Sequence, residues 1–465
     1  MNEQDKITST TPGRTVMLVN VFLFAAVLAA GGILSFVLPK SKISEYEKRE
    51  LTHLPAFTFQ KLFHAKFTDS LDLYYADNFP YRENFVSFSS ALNEHFGYRV
   101  DDMKIYNLDR GHQPEENRIV TSTTKKTTDT KTTKDTVKTD TLTALKQMLD
   151  TMHNDGEFVN SILIYDGRGY QIFGGSSGAA HAYANMINAY HKVLGDSVTI
   201  HVLVIPSAID YYLPSKYKGK ASLEKPNIDL IYSFLSPGIQ TADAFSEIEK
   251  HTSEYLYFHT DHHWTGLGAY YAYRAYCASA GFTPYELSQF TKKTKRKFLG
   301  SLYDLTRDSR LRENIDSVEY FLLPVNAKVT LYKDKELKNP IKSSLLVEMA
   351  GGANSYSVFL GGDYPLLKAV TENKNGKRIL IIKDSFGNAI SPFFALHYEE
   401  VYVIDYRYFE SNLVDFIRKN KITDLIFLHN TFMANSKYTV QKESYLMKTH
   451  TPVITETKKD SLKKN

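Results

Sequence analysis

The 465-residue chain carries 43% hydrophobic and 13% aromatic residues, which excludes global disorder and exceeds one ordinary core, so two domains or one large domain with insertions are expected. With 56 basic against 52 acidic residues and a net charge of +4, no bulk electrostatic field calls for a nucleic-acid partner. The single cysteine, Cys277 in Ala-Tyr-Cys-Ala-Ser, excludes an internal disulfide and a multi-thiol zinc site and reads as core packing.

Val16 to Leu38 gives 23 uncharged positions, interrupted only by Asn20, Gly31, Gly32 and Ser35 and closed by Pro39 and Lys40. At about 1.5 Å per residue such a helix spans the roughly 30 Å hydrocarbon core of a bilayer. A buried soluble helix of that length would keep a polar face. A cleaved signal peptide is the closer rival, since Val27-Leu-Ala29 resembles a cleavage site, but the run continues nine residues past Ala29, which favours an uncleaved anchor. Lys6 and Arg14 precede the segment, and Lys40, Lys42, Lys48 and Arg49 follow it among Glu45, Glu47 and Glu50. Charge therefore leaves its orientation open.

Ser41 to Arg110 has mixed helix-like patterning. It is punctuated by Tyr74-Tyr-Ala-Asp-Asn-Phe-Pro-Tyr-Arg82, where Pro80 predicts a helix end and a turn. From Thr121 to Thr141 there are eleven threonines, five lysines and three aspartates in 21 residues, with Val137 the one apolar side chain. Such a segment buries too little surface to offset its ordering entropy and is read as a disordered surface insertion.

The remainder has α/β patterning. Ser161 to Tyr165 is a strand candidate, Ala179 to Leu194 a helix, and Val198 to Ile205 a β-branched run ending at Pro206. Thr265 to Ala280 has helical spacing at 267, 270, 273 and 277 and is ended by Gly281. Ser355 to Leu360, Arg378 to Ile382, Val401 to Ile404 and Asp424 to Leu428 are short apolar runs, with helix-forming segments Ser391 to Tyr398 and Asn412 to Lys419 between the last three. That alternation predicts a parallel sheet with helical crossovers, with function at the carboxyl ends of its strands.

Two stretches carry chemistry. Arg378-Ile-Leu-Ile-Ile-Lys-Asp-Ser-Phe-Gly-Asn388 puts Ser385 directly after an apolar strand, where turn amides are free to stabilise an oxyanion and a hydroxyl is exposed for attack. The plainer alternative is a helix-capping serine. His259-Thr-Asp-His-His-Trp264 supplies the base and orienting carboxylate that a serine nucleophile needs: Asp261 and His263 stand two positions apart before a helix. If they form a triad, the Ser385 hydroxyl lies within roughly 2.6 to 3.2 Å of a His263 ring nitrogen. A metal centre built on His259, Asp261, His262 and His263 competes, although four ligands so close in sequence rarely converge on one tetrahedral centre. A third possibility is that these side chains only pack and hydrogen-bond.

Asp261-His-His-Trp264 with Thr265-Gly-Leu-Gly-Ala-Tyr-Tyr271, Lys383-Asp-Ser-Phe-Gly-Asn388 and Val403-Ile-Asp-Tyr-Arg-Tyr408 resembles the bacterial DHHW protein family. That family is similar to the SGNH-hydrolase-like alginate O-acetyltransferases, whose matching motif is Asp-Thr-His-Trp. Glu47-Lys-Arg-Glu-Leu51 with Pro55, Asp77-Asn-Phe-Pro-Tyr-Arg82 and Gly300-Ser-Leu-Tyr303 extend the likeness from the anchor to near Asn430, the threonine-rich segment excepted. The resemblance implies an SGNH-hydrolase-like parallel sheet flanked by helices, preceded by one N-terminal transmembrane helix. The implied division is a tail at 1–15, an anchor at 16–38 and the N-terminal part of an extracytoplasmic domain at 39–120. The insertion at 121–141, a catalytic domain at 142–450 and a polar tail at 451–465 follow.

It also implies a site. Asp261, His263 and Ser385 match dyad and nucleophile, and Arg407 matches a basic residue. His262 stands where the pattern has Thr and is left without a role, as is Trp264. The resemblance fixes no oxyanion donors: the Ser385 amide is the first candidate, and Gly361, Gly362, Asn388 and Asn430, each near a predicted strand end, are further oxyanion or substrate-binding candidates. The implied activity is a membrane-anchored O-acetyltransferase or acetylesterase of a cell-surface polysaccharide, with no metal or other cofactor, working with a multispanning membrane O-acyltransferase. The competing classes are a non-catalytic polysaccharide-binding or assembly subunit, with Tyr270, Tyr271 and Tyr273 as core, and a metal-dependent hydrolase.

Overall fold

The structure is a computed structural model that describes residues 161–218 and 223–448, residues 104–107, and short stretches between 18 and 81. The chain divides into two compact units, Met1–Tyr98 and Arg99–Asn465. In the first unit residues 18–19, 21–26 and 29 are helical, and Ile43–Ser44 pairs antiparallel with Arg49–Glu50. The expected helix end before Pro80 is present as the Asn78 amide donating to the Tyr74 carbonyl at 3.0 Å. No helix of the described residues is long and apolar enough to cross a membrane. The rest of the expected anchor at 16–38, the insertion at 121–141 and the tail at 451–465 lie outside the described residues.

The second unit is built on strands β1 (Lys104–Asn107), β2 (Ser161–Tyr165), β3 (Arg168–Gln171), β4 (Thr199–Ile205), β5 (Gln240–Thr241), β6 (Thr291–Phe298), β7 (Asp316–Leu322), β8 (Ala327–Tyr332), β9 (Pro340–Ser343), β10 (Leu366–Thr371), β11 (Arg378–Lys383), β12 (Glu400–Asp405) and β13 (Asp424–Asn430). Eight of them form the central sheet in the order β9-β8-β10-β12-β11-β13-β4-β5. From β12 to β5 the neighbours are parallel. The sequence predicts a parallel sheet throughout, but β9, β8 and β10 add an antiparallel edge. The connection from β8 to β9 is too short for the crossover that parallel strands require. Burial follows the same division: β8 alternates, whereas β11, β12 and β13 are buried on both faces.

Alternate side chains of the parallel strands feed two cores. Ile379, Ile381, Val401, Val403, Ile426 and Leu428 pack into one, which also holds Trp264 and the tyrosines of helix α1 (Gly266–Ala280). Leu380, Ile382, Tyr402, Ile404, Leu425 and Phe427 pack into the other. Helix α1 begins with the Thr265 hydroxyl accepting from the Gly268 amide and ends at Gly281 in the left-handed region, as its spacing predicts.

Two strand expectations change. Ser161–Tyr165 is a strand but belongs to a separate antiparallel sheet, β1-β2-β3. The apolar run at 355–360 is not a strand: Gly352–Val358 forms 3₁₀ turns. A short unbroken apolar run bounded by glycines does not distinguish strand from buried turn, and here tertiary packing decides.

Candidate active site

The loop that carries Asp261 and His263 is closed at its base by an antiparallel bridge between Tyr257 and Trp264 and by the Thr265 amide donating to the Leu256 carbonyl at 2.8 Å. Asp316, the first residue of β7, is fully buried and fixes the loop from below. It accepts from the amides of His259 at 2.9 Å and Thr260 at 2.7 Å, from the Thr260 hydroxyl at 2.5 Å and from the Tyr255 hydroxyl. From β3, Arg168 donates to the carbonyls of Tyr257 at 2.8 Å and Phe258 at 3.1 Å. His259 bridges these two supports, with Nε2 at 3.1 Å from Arg168 and Nδ1 at 3.2 Å from Asp316. It is a strut of the loop.

Ser385 follows β11 in a tight turn at the carboxyl edge of the sheet. The turn is held by Asp384, which accepts from the amides of Phe386 at 2.9 Å and Asn430 at 2.7 Å. Burial pushes the Asp384 carboxyl up, against the opposing pull of His429 and those amides. The Trp264 indole donates to the Phe386 carbonyl at 3.0 Å. The one tryptophan of the chain thus ties the serine turn to the aspartate–histidine loop.

These constraints bring Ser385 to the Asp261–His263 pair across 122 positions of sequence: His263 Nε2 lies 2.8 Å from Ser385 Oγ, and His263 Nδ1 lies 2.6 Å from Asp261 Oδ1. Asp261 Oδ1 also accepts the His263 amide at 2.9 Å, and its Oδ2 accepts the Ser301 amide at 2.8 Å. With the carboxylate against Nδ1, the ring proton resides there, so Nε2 is the acceptor facing the serine hydroxyl. All three side chains are buried.

Two further residues support the Ser385–His263–Asp261 contacts: Tyr356, which is silent in the sequence, and Gly300, which the sequence offers only as part of a motif. Tyr356, from the 3₁₀ segment, stacks on the His263 ring with centroids 4.0 Å apart and donates its hydroxyl to the Ser385 carbonyl at 3.1 Å. Gly300 precedes helix α2 (Ser301–Thr306) with φ of −99°, so space rather than conformation requires glycine here. An added Cβ would lie 2.2 Å from Asp261 Cβ and 2.4 Å from its Oδ2. Gly300→Ala is expected to displace Asp261 and lower turnover of an acetyl ester by about 100-fold. Steady-state kinetics checks this, and a variant within about threefold of the parent would show that the loop absorbs the methyl group without moving the carboxylate.

The remaining site candidates separate. The Ser385 amide donates to no acceptor among the described residues and stands in the turn beside the hydroxyl. The Gly361 amide donates to the Ser357 carbonyl at 3.1 Å, which argues against it as an oxyanion donor. Gly362 follows with φ of +128° and serves the turn into Asp363. The Asn388 side-chain amide donates to Asp363 at 2.8 Å. The Asn430 side-chain oxygen caps a helix by accepting from the Met433 amide at 2.9 Å. Arg407 is committed to Asp405 and Asp363, at 2.6 and 2.9 Å. Burial disfavours the Asp363 carboxylate, yet Lys383 and Arg407 together hold its carboxyl far below the usual range. These residues frame the carboxyl ends of β11 and β12.

Donor atoms of Asp261, His262 and His263 lie within 4.8 Å of one another, a spacing an ion could bridge. His259 is not among them. An ion there would compete with the 2.6 Å Asp261–His263 contact and with His262 Nδ1, which lies 2.5 Å from Ser301 Oγ.

A sequence profile described as DHHW protein matches residues 127–404, a span that starts inside the threonine-rich segment and includes Asp261, His263 and Ser385. The crystal structure of a DHHW family protein from Eubacterium siraeum DSM 15702 is 35% identical, covers 62% of this chain and 96% of its own, and superposes with a TM-score of 0.57. Bacillus cereus PatB1, also solved with a sulfonyl adduct, is 20% identical over 60% of this chain and 98% of its own, with a TM-score of 0.51. The O-acetyltransferase domain of Pseudomonas putida AlgJ is 12% identical over 61% of this chain and 95% of its own, with a TM-score of 0.34. No curated protein matches the sequence.

Proposed function

The chain belongs to the DHHW protein family, and on that premise we propose that it is an anchored, extracytoplasmic O-acetyltransferase or acetylesterase of a cell-surface polysaccharide, acting through Ser385, His263 and Asp261. The observation that carries the reading is the continuous contact from Ser385 Oγ to His263 Nε2 at 2.8 Å and from His263 Nδ1 to Asp261 at 2.6 Å.

In this mechanism Ser385 Oγ attacks the acetyl carbonyl while its proton passes to His263 Nε2. The imidazolium is stabilised by Asp261 through Nδ1 and by the stacked face of Tyr356. Negative charge on the carbonyl oxygen develops beside the Ser385 amide. Collapse breaks the bond to the leaving group, which takes the proton back from Nε2 and leaves an acetyl ester on Ser385. A sugar hydroxyl then gives its proton to Nε2 and attacks the ester carbonyl. The bond to Ser385 Oγ breaks, Oγ takes that proton back from Nε2 and the acetyl group leaves on the sugar, and water in its place makes the same site an esterase.

The anchor finds support in the described helical residues, where Leu18, Val19, Val21, Phe22, Leu23 and Phe24 are all exposed, a pattern suited to lipid. Family resemblance favours an inward N-terminus and a multispanning acyltransferase as the source of acetyl groups.

The test uses the full-length chain in detergent with 4-nitrophenyl acetate. The expected result is turnover insensitive to chelators, with one acetyl group trapped on the peptide containing Ser385. Sulfonylation of the same serine by phenylmethanesulfonyl fluoride, a reagent class suggested by the adduct of PatB1, is expected to stop it. Activity that is lost on chelation and returns with zinc would place the chain among metal-dependent hydrolases instead. Glycan binding without turnover would favour the assembly subunit.

A further inference from the structure

His262 has no part in the mechanism above, yet it is held as closely as the residues that do. Its ring centroid lies 3.8 Å from that of His263, while Tyr356 lies 4.0 Å from the same ring. The Tyr356 ring stacks on His263, and the His262 ring meets it at a tilt. His262 also contacts the Phe386 edge at 5.7 Å. Its Nδ1 lies 2.5 Å from Ser301 Oγ and 3.8 Å from Asp261 Oδ1.

Ser301 is the link. It is the first residue of α2, and its amide is the donor to Asp261 Oδ2 at 2.8 Å. Asp261 Oδ1 already receives the His263 ring and amide, so the Oδ2 contact fixes the rotation of the carboxylate about its last bond. Gly300 brings the α2 terminus close enough for that contact. Its amide, donating to the Thr260 hydroxyl at 3.0 Å, and the Tyr303 amide, donating to the Thr260 carbonyl at 3.0 Å, moor the terminus to the loop. The hydroxyl–imidazole contact acts at Ser301 itself: it pins the Ser301 side chain to the same loop whose carboxylate the Ser301 backbone grips.

We infer that His262 and Ser301 form a positioning pair, in which the contact between His262 Nδ1 and Ser301 Oγ locks the α2 terminus so that the Ser301 amide orients Asp261 for His263. The inference rests on the Ser385–His263–Asp261 reading and assigns a task within it. Neither residue touches the reacting atoms. Their effect travels through the carboxylate, so it falls on kcat and leaves substrate binding unchanged.

The pair makes an atom-specific prediction. An asparagine amide sits about as far along the side chain as His Nδ1, whereas a glutamine amide reaches the place of Nε2. Both substitutions remove the His262 ring that packs against His263. A difference between them therefore reports the Nδ1 contact and not packing. In the full-length chain, His262→Gln and Ser301→Ala are each expected to lower kcat for 4-nitrophenyl acetate by about tenfold with KM within about twofold, and His262→Asn to stay within about threefold of the parent. Combining His262→Gln with Ser301→Ala should cost less than about twofold beyond either alone, because both break one contact. The rate of Ser385 sulfonylation by phenylmethanesulfonyl fluoride should fall by the same factors.

Equal effects of asparagine and glutamine, or losses that multiply in the double variant, overturn the positioning pair while leaving the triad reading intact. A parent chain that neither turns over the ester nor accepts the sulfonyl group overturns both. Ser301→Ala probes the contact from the other side, so the inference stays testable if a His262 variant fails to fold.

Discussion

Ser385→Ala is expected to lower turnover of 4-nitrophenyl acetate by the full-length chain by a factor on the order of 10⁴ to 10⁶, to a rate that His263→Ala also reaches and the double variant does not undercut. The loss corresponds to about 5 to 8 kcal/mol of transition-state stabilisation. Its size follows from the unit that is broken. Ser385 and His263 are buried and 2.8 Å apart, with the second ring nitrogen committed to Asp261 at 2.6 Å, so among the described residues each is the other's partner for the proton transfer. Non-additivity is the sharper part of the prediction. Two residues that act independently would lose their factors twice, whereas a nucleophile and its base lose them once. Ser385→Ala retaining more than about a tenth of the parent rate, with His263→Ala inactive, would mean that the histidine activates water directly and that the serine only fills the turn.

Much of this site was legible before the structure because its central contact is local. Asp261 and His263 are two positions apart, and a carboxylate so placed reaches both the backbone amide and the ring of the later residue, as it does here. The serine was legible for a different reason: an apolar strand buried on both faces ends at a turn, and the carboxyl edge of a parallel sheet is where turn amides are free. What the sequence did not disclose depends on approach between distant segments. Tyr356 stands in an apolar run whose period fits a strand as well as a turn, and its stacking on His263 is purely tertiary. Gly300 matters because Asp261 comes within the volume of a methyl group, which no spacing rule encodes. The antiparallel edge escaped because β9 is short and largely exposed and β8 buries only alternate positions, so neither forms an unbroken apolar run. Density of histidines was a poor guide: His259 braces the loop between Arg168 and Asp316, and Trp264 is a tether for the serine turn as well as a wall.

Arg407 shows how a site resemblance and a structural role coincide at one residue, and it leads to the largest stability effect expected here. Lys383 Nζ lies 2.5 Å from Asp363 and 3.1 Å from Asp405, Arg407 grips the same two carboxylates, and Lys383 and Asp405 are almost fully buried. Burial alone would push the Lys383 ammonium down, but Asp363 and Asp405 outweigh it and hold it above its ordinary value. Lys383→Met removes one of two cations and leaves the buried Asp405 and the half-buried Asp363 carboxylates facing a single guanidinium. The expected cost is about 3 to 5 kcal/mol, read as a lower urea midpoint at neutral pH. The sign of its pH dependence is fixed by the same charges. Asp363 is held far below the usual carboxyl range, so its contribution is fully present above the ordinary carboxyl value of about 4 and is lost as pH falls beneath it. Without Lys383 that depression shrinks, so the gap between variant and parent should hold from pH 7 down to about 4 and narrow only as the pH falls further. Lys383→Met combined with Asp363→Asn should recover part of the loss, because one uncompensated charge is removed with its partner. A deficit under about 1 kcal/mol at neutral pH would mean that water reaches the network and screens it. The consequence for the site is direct: Lys383 stands two residues before Ser385, so the charges that hold the ends of β11 and β12 together also set where the serine turn begins. Arg407 acts on the chemistry by holding that edge in register, and its substitution should disturb stability and turnover in parallel.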